Sequence, residues 1–307
     1  MLRVFIRKLF IIKTNYFYRA KTCAYFDLME QSFDNLFHMS RIRRIIKRFF
    51  IVTNTLSILN KFNYLYAYCR NYIRNRAFKR INRDFNLPPD YYLYESYQLN
   101  YRQYKEDGQI TASEVINWTS QYLLGPLNIL EWGCGVSRVV RHIPDYVCEY
   151  SKVYGVDINK QMIDWNSKHI SNVIFSINEY NPPTKFNDNH LCLVFALSVF
   201  THIGYQVQSK WIKEIYRIIK TDGVFLFTTH GKNYDKNLTN KQVRELDVDG
   251  SITVGYKKKG HRMMSTYNRY SNFRELVETY FSILEYYDGG DYPDKVGGQD
   301  LWIVKKI

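Results

Sequence analysis

No stretch of this 307-residue sequence approaches the 18 or more consecutive apolar residues that a membrane-spanning helix needs, so no spanning helix is expected. The opening MLRVFIRKLFIIK is apolar and basic. Arg7, Lys8 and Lys13 break its apolar run and no small-residue cleavage site follows, so a secretory signal is not expected either. Cysteine is scarce. Its five copies, Cys23, Cys69, Cys134, Cys148 and Cys192, are odd in number, widely spaced and free of any C-x-x-C pair. That pattern fits neither a disulfide framework nor a zinc site and points to a reducing compartment. Low complexity is also absent: 46% hydrophobic, 17% aromatic and 23% charged residues describe a chain that can bury a sizeable core.

What is present is charge, and it is unevenly placed. The formal net charge is +14, and Met1–Phe85 holds 18 Lys/Arg against 4 Asp/Glu, whereas Asn86 onward holds 25 of each. The whole imbalance therefore lies in the first quarter. The stiff Leu87-Pro88-Pro89 step marks a boundary. Residues 1–86 read as a basic, largely helical N-terminal extension and residues 87–307 as a near-neutral globular domain. Within Arg41–Ile51, Ile42, Ile45, Ile46, Phe49 and Phe50 fall at i, i+3, i+4, i+7 and i+8, one helical stripe with Arg and Lys around the rest. Leu2, Phe5, Ile6 and Leu9 among Arg3, Arg7 and Lys8 repeat the pattern more weakly. Three uses are open: an interfacial helix on anionic lipid, a cap on the globular domain with solvated arginines, or phosphate binding along nucleic acid.

From about Asn128, short apolar runs alternate with helical stretches. Leu127–Glu131, Val153–Val156, Val173–Ile177, Leu191–Leu197 and Val224–Thr228 are strand candidates. Ser137–His142, Lys160–His169 and Gln208–Lys220 are helix candidates, and Thr221-Asp222-Gly223 is a turn. Such alternation specifies β-α-β units, a doubly wound α/β domain with a mostly parallel sheet. Ligands sit beyond the carboxyl ends of such strands, and Gly133-Cys134-Gly135 stands at the end of the first. Asp157 closes the second strand 22 residues after Gly135, where an acidic side chain accepts from ribose hydroxyls. A dinucleotide fingerprint wants its third glycine at the position of Arg138, so nicotinamide binding is disfavoured.

These residues resemble the class I S-adenosylmethionine-dependent methyltransferases. ILEWGCGVSR is similar to the family's first motif, with Ser137 in place of its last glycine, and VYGVDINKQMIDW resembles the second. LVFALSVFTHI and WIKEIYRIIKTDGVFLFTTHG look like the later motifs, and GGQDLWIVKK looks like the closing antiparallel strand. The resemblance runs from about Leu87 to the C-terminus. It implies a Rossmann-like, mostly parallel seven-stranded sheet and S-adenosyl-L-methionine as cofactor. By the resemblance Glu131, Gly133, Cys134 and Gly135 line the methionine and ribose side and Asp157 holds the ribose diol. Ile158 packs on adenine, Asn178 or Glu179 meets the adenine amine, and Ala196 and Ser198 flank the methyl group. More narrowly, SVFTHI, GQDLWIV and the upstream LPP are similar to methyltransferases that accompany polysaccharide biosynthesis.

Asn181-Pro182-Pro183-Thr184 imitates the N-P-P-Y motif of base-modifying methyltransferases, but it precedes the fourth strand and ends in threonine, so a plain loop is expected. A hydroxyl acceptor benefits from a general base, and His202 and His230, after the fourth and fifth strands, are the catalytic candidates. Each has a plainer alternative in packing or satisfying backbone. Tyr267 and Arg262 are candidates to line an acceptor pocket or a lid. The function expected is methyl transfer to an oxygen of a small or glycan-like acceptor, without metal. The setting expected is cytoplasmic, with the extension resting on the inner face of a membrane or on a partner protein. An RNA methyltransferase that grips phosphate through the extension is disfavoured but open, as is a non-catalytic scaffold.

Overall fold

The computed structural model describes residues 56–97, 99–255 and 264–307. The amphipathic stripe at Arg41–Ile51, the weaker one at the start and Arg262 lie outside the described residues. The chain divides into two compact units, Met1–Cys69 and Arg70–Ile307. Of the first, residues 56–69 are described and are helical. Among the described residues no helix is long and apolar enough to cross a membrane.

The helices are α1 (Leu56–Ile81), α2 (Asp90–Tyr97), α3 (Tyr101–Thr119), α4 (Lys160–His169), α5 (Tyr205–Ile218), α6 (Asn240–Asp249) and α7 (Tyr270–Glu278). The strands are β1 (Asn128–Trp132), β2 (Lys152–Asp157), β3 (Ile174–Ile177), β4 (Leu191–Ala196), β5 (Ile219–Thr229), β6 (Ser251–Gly255), β7 (Met264–Asn268), β8 (Phe281–Tyr287) and β9 (Asp300–Lys306). Seven strands form one sheet in the order β3-β2-β1-β4-β5-β9-β8, while β6 and β7 pair separately. The pairs from β3 to β5 are parallel, and β9 runs antiparallel to both β5 and β8. This is the expected doubly wound, mostly parallel, Rossmann-like sheet of seven strands. The order reverses between β1 and β4, so the carboxyl ends of those strands open the crevice where ligands bind.

Both faces of the sheet are apolar because strand residues alternate sides with period two. Leu130, Trp132, Val194, Phe225 and Phe227 point to one face, against Trp211 and Ile215 of α5 and Phe273 and Val277 of α7. Ile129, Leu193, Phe195, Val224 and Leu226 point to the other, against Ala112 and Val115 of α3 and Ile163 of α4. Asparagine side chains cap two of the helix starts. The Asn159 side chain accepts from the Gln161 and Met162 amides at the head of α4, and Asn100 accepts from Gln103 at the head of α3.

Two local expectations fail. The stretch after the glycine loop is not an α-helix at Ser137–His142; it turns and continues as a 3-10 helix at Val140–Tyr146. Pro144 has no amide to give an α-helix there, and Glu131 Oε2 takes the Val140 amide at 2.8 Å. At the other site, α5 stops at Ile218 and β5 already begins at Ile219, so Thr221-Asp222-Gly223 is a loop-out within a strand rather than a turn before one. The pairing jumps from Leu191↔Ile219 to Leu193↔Val224, and Asp222 takes φ 63°.

Phe225 is fully buried, with ring centroids of Phe227 at 4.6 Å and of Phe200 and Phe281 at 6.1 Å. Phe225→Ala is expected to lower the unfolding free energy by about 4 kcal/mol, read from urea denaturation at unchanged slope.

Candidate active site

The bend after β1 is built from left-handed backbone. Gly133, Gly135 and Ser137 have φ of 79°, 50° and 59°. The Gly133 and Cys134 amides both donate to Val156 O, at 2.8 and 3.0 Å, which folds the bend toward the end of β2. Gly133 is required twice over, because besides its φ a Cβ there would lie 2.4 Å from Val199 Cγ2. At Gly135 a Cβ would meet nothing within 4 Å, so open space lies over the middle of the bend. Ser137 bears the left-handed conformation with a side chain, at a cost of roughly 1 kcal/mol.

Asp157 reaches this bend. Its Oδ2 accepts from the Gly135 amide at 2.9 Å and its Oδ1 from the Asn159 amide at 2.8 Å. Burial raises its pKa, and the backbone donors at Asn159, Gly135 and Ile158 oppose that rise. Glu131 is more deeply enclosed. Burial lifts its carboxyl to about 8 against the Val140 hydrogen bond, and the charge of Asp157 adds to the lift. Cys134 contributes backbone to the bend while its thiol sits in the core cluster beside Val153 and Phe195, pushed well up by burial.

The other expected cofactor residues fall along the same edge. Asn178 donates its amide to Asp157 O at 3.1 Å, and its buried Oδ1 has no hydrogen-bond partner among the described residues. Glu179 is exposed and Ile158 is 39% exposed. Ala196 is buried at the end of β4. Ser198 takes φ 61°, donates its amide to Thr228 Oγ1 at 2.8 Å and accepts from Gln299 Nε2 at 2.9 Å. The ends of β1, β2, β3 and β4 thus meet around the bend. A nucleoside fits these residues on two observations: the open space over Gly135, and the orphaned Asn178 oxygen, which lacks the donor that an adenine amine would supply.

His202 and His230 differ. His202 is half-buried, and its Nδ1 lies 2.8 Å from Met264 O. A carbonyl only accepts, so Nδ1 carries the proton and Nε2 keeps the lone pair. Burial lowers the His202 pKa, with the Met264 bond opposing, so the ring is neutral at neutral pH. His230 is buried, its Nδ1 has no partner among the described residues, and its ring stacks on Tyr234 at 4.2 Å. Burial, then the neighbouring His202, push it down to about 4. Tyr267 is not a surface lid residue: it is buried against Leu238 and Leu246.

Two features escaped the reading of the sequence. Gly108 of α3 stands where its Cβ would lie 2.3 Å from Arg138 O, so the glycine that permits close approach at this bend is on the opposing helix. Gln299, the residue before β9, reaches Ser198 across 101 residues, which no local pattern reports. The N-P-P-T segment is the plain loop expected: the Thr184 amide and hydroxyl both donate to Glu214 Oε1 at 2.7 Å. Among the described residues no group of His, Cys, Asp and Glu could hold a metal ion.

Gly133→Ala is expected to lower stability by about 2 kcal/mol or more, from the left-handed backbone and the Val199 clash together. Adding Val199→Ala should recover the steric share only, which thermal unfolding of the two variants and the pair will show. The native Glu131 carboxyl binds its proton more tightly, at about 8, than the ordinary 4.5 of an unfolded chain. Stability therefore falls as pH rises through that window. The lowered histidines act below about 6.5, so the melting temperature should decline from there to about pH 8, and the decline should shrink in Glu131→Gln.

Residues 130–227 match the model of a family described as a methyltransferase domain. Among solved structures, the chain is similar to a Pyrococcus horikoshii protein at 17% identity and TM-score 0.47, covering 67% of this chain and 96% of that one. It is similar to a SAM-dependent methyltransferase of Methanosarcina mazei at 17% and 0.47, covering 62% and 97%. It is similar also to the magnesium protoporphyrin IX methyltransferase of Synechocystis, solved with bound SAH, at 14% and 0.47, covering 78% and 98%. The matched segment runs from β1 into β5 and contains the bend, Asp157 and the mouth of β4. With that order of parts, residues 130–227 are similar to a methyltransferase domain.

Proposed function

We propose that this protein methylates an oxygen of a small or glycan-like acceptor. The observation that supports the cofactor part of the reading is the 2.9 Å bond from the Gly135 amide to Asp157, with open space above that glycine. Bound S-adenosylmethionine supplies an activated methyl group together with its own leaving group. The chain's residues then bind and orient. Asp157 holds the ribose diol, Ile158 covers the adenine, and Asn178 Oδ1 accepts from the adenine amine, a task its burial favours over exposed Glu179. Glu131 and the Gly133–Gly135 backbone line the methionine side, and Ala196 and Ser198 border the methyl group.

His202 is the proposed general base. Its Nδ1–H is fixed on Met264 O, so Nε2 accepts the acceptor's hydroxyl proton as the oxygen attacks. His230, deeper and neutral, serves as a second imidazole of the acceptor wall. The preference for a glycan-like acceptor rests on the resemblance to methyltransferases of polysaccharide biosynthesis. The domain proposed for this chemistry is 87–307, with 1–86 as a basic extension. Its charge supports a cytoplasmic protein resting on an anionic membrane face or an acidic partner; the same charge would serve RNA, with a steep salt dependence as its mark.

Isothermal titration with S-adenosylhomocysteine tests the cofactor site, and Asp157→Ala should weaken binding by about tenfold or more. Screening free sugars, nucleotide sugars and short RNAs as acceptors tests the reaction. His202→Gln should lower kcat by about a hundredfold while leaving S-adenosylhomocysteine binding unchanged. No binding by the wild-type protein, or an Asp157→Ala variant equal to it, would overturn the reading.

A further inference from the structure

The bend at Gly133–Ser137 concentrates three left-handed residues in five and is not continued by an α-helix. Backbone in such conformations persists where its surroundings over-determine it. The connections from β2 to β3 and from β4 to β5 each contain an α-helix; here the next element is the short 3-10 helix at Val140–Tyr146. Support reaches the bend from α3 instead, which lies before β1 in sequence and outside residues 130–227.

Three contacts carry it. Tyr104 is fully buried, and its hydroxyl donates to Val136 O, between the two outer left-handed residues, at 2.6 Å. One turn along α3, Gly108 lacks the Cβ that would lie 2.3 Å from Arg138 O, so the helix backbone rests directly against the end of the bend. Arg138 then reaches across α3 to Asp107 O at 3.2 Å and Thr111 Oγ1 at 3.1 Å. A second layer holds Tyr104 in place. Arg141 donates to the Tyr104 oxygen at 3.2 Å and to Asn86 O at 2.9 Å, and lies 4.1 Å over the Phe85 ring. Burial pushes the Tyr104 phenol up to about 12, against the effect of Arg141, so it stays a donor throughout the physiological range.

From this geometry we infer that Tyr104 and Gly108 of α3 are positioning residues for the cofactor, holding the bend in the shape that presents the Gly135 amide to Asp157. The inference rests on the proposed cofactor reading and deepens it: α3 is part of the binding device although it touches no ligand.

Tyr104→Phe removes one hydroxyl and keeps the ring. In the full-length protein, titrated well below its melting temperature, this change should weaken S-adenosylhomocysteine binding about five- to tenfold. Thr111→Val, which removes one acceptor of Arg138, should act in the same direction and secures the test if Tyr104→Phe fails to fold. Tyr122→Phe is the control. It deletes a hydroxyl that donates to Glu285 at 2.6 Å on the far edge of the sheet. It should shift the melting temperature without moving the dissociation constant, as a merely structural role would. Wild-type binding with Tyr104→Phe and Thr111→Val equal to it overturns the inference and leaves the cofactor reading intact. Absence of binding by the wild type overturns both.

Discussion

The hydrogen bond from the Gly135 amide to Asp157 ties together two strand ends that the sheet has already made neighbours. β1 and β2 are parallel and in register as far as Trp132↔Val156. One residue beyond that pair, the chain of β1 must leave the sheet while β2 delivers a carboxylate. The Gly133 and Cys134 amides close on Val156 O, and Gly135 then meets Asp157. Several features of the crevice touch this closure. Val199 fits against bare Gly133, and Asn178 hangs from the Asp157 carbonyl.

The edge of the sheet is also electrostatically unusual. Two carboxylates, Glu131 and Asp157, and two imidazoles, His202 and His230, stand in low-dielectric surroundings, and burial drives each toward its neutral form. Neutral imidazoles accept protons, which suits a base at a hydroxyl. A partly neutral carboxyl pair costs less to bury than two full charges and can ionise when a cation arrives. Backbone hydrogen bonds oppose burial at each of the four, and at Asp157 one of those donors, the Gly135 amide, belongs to the bend, so the shape of the bend and the charge of the acid are coupled.

Much of the sheet was legible because its signals are local. The apolar runs at 191–197 and 127–131 and the helix at Lys160–His169 each follow from a few neighbouring residues, and alternation with helices gave a mostly parallel sheet. The helix expected at Ser137–His142 failed because two side chains intervene that spacing does not weigh: Pro144 from ahead and Glu131 from behind. The turn expected at Thr221–Gly223 failed because β4 pairs on both sides of it and draws the flanking residues into one strand.

By itself the sequence determined the chemistry available at the crevice: two glycines that can go left-handed, an acid 22 residues on, and histidines after later strands. These depend on residue type and short-range order, which a chain carries whether or not it is folded. Tertiary structure alone decided which groups meet. It set Gly108 against Arg138, Tyr104 beneath Val136 and Gln299 beside Ser198, and it gave His202 a fixed tautomer through Met264. Those pairings span 30 to 101 residues. Their partners are chosen by the packing of helices and strands around a common core, and no periodicity along the chain encodes that choice.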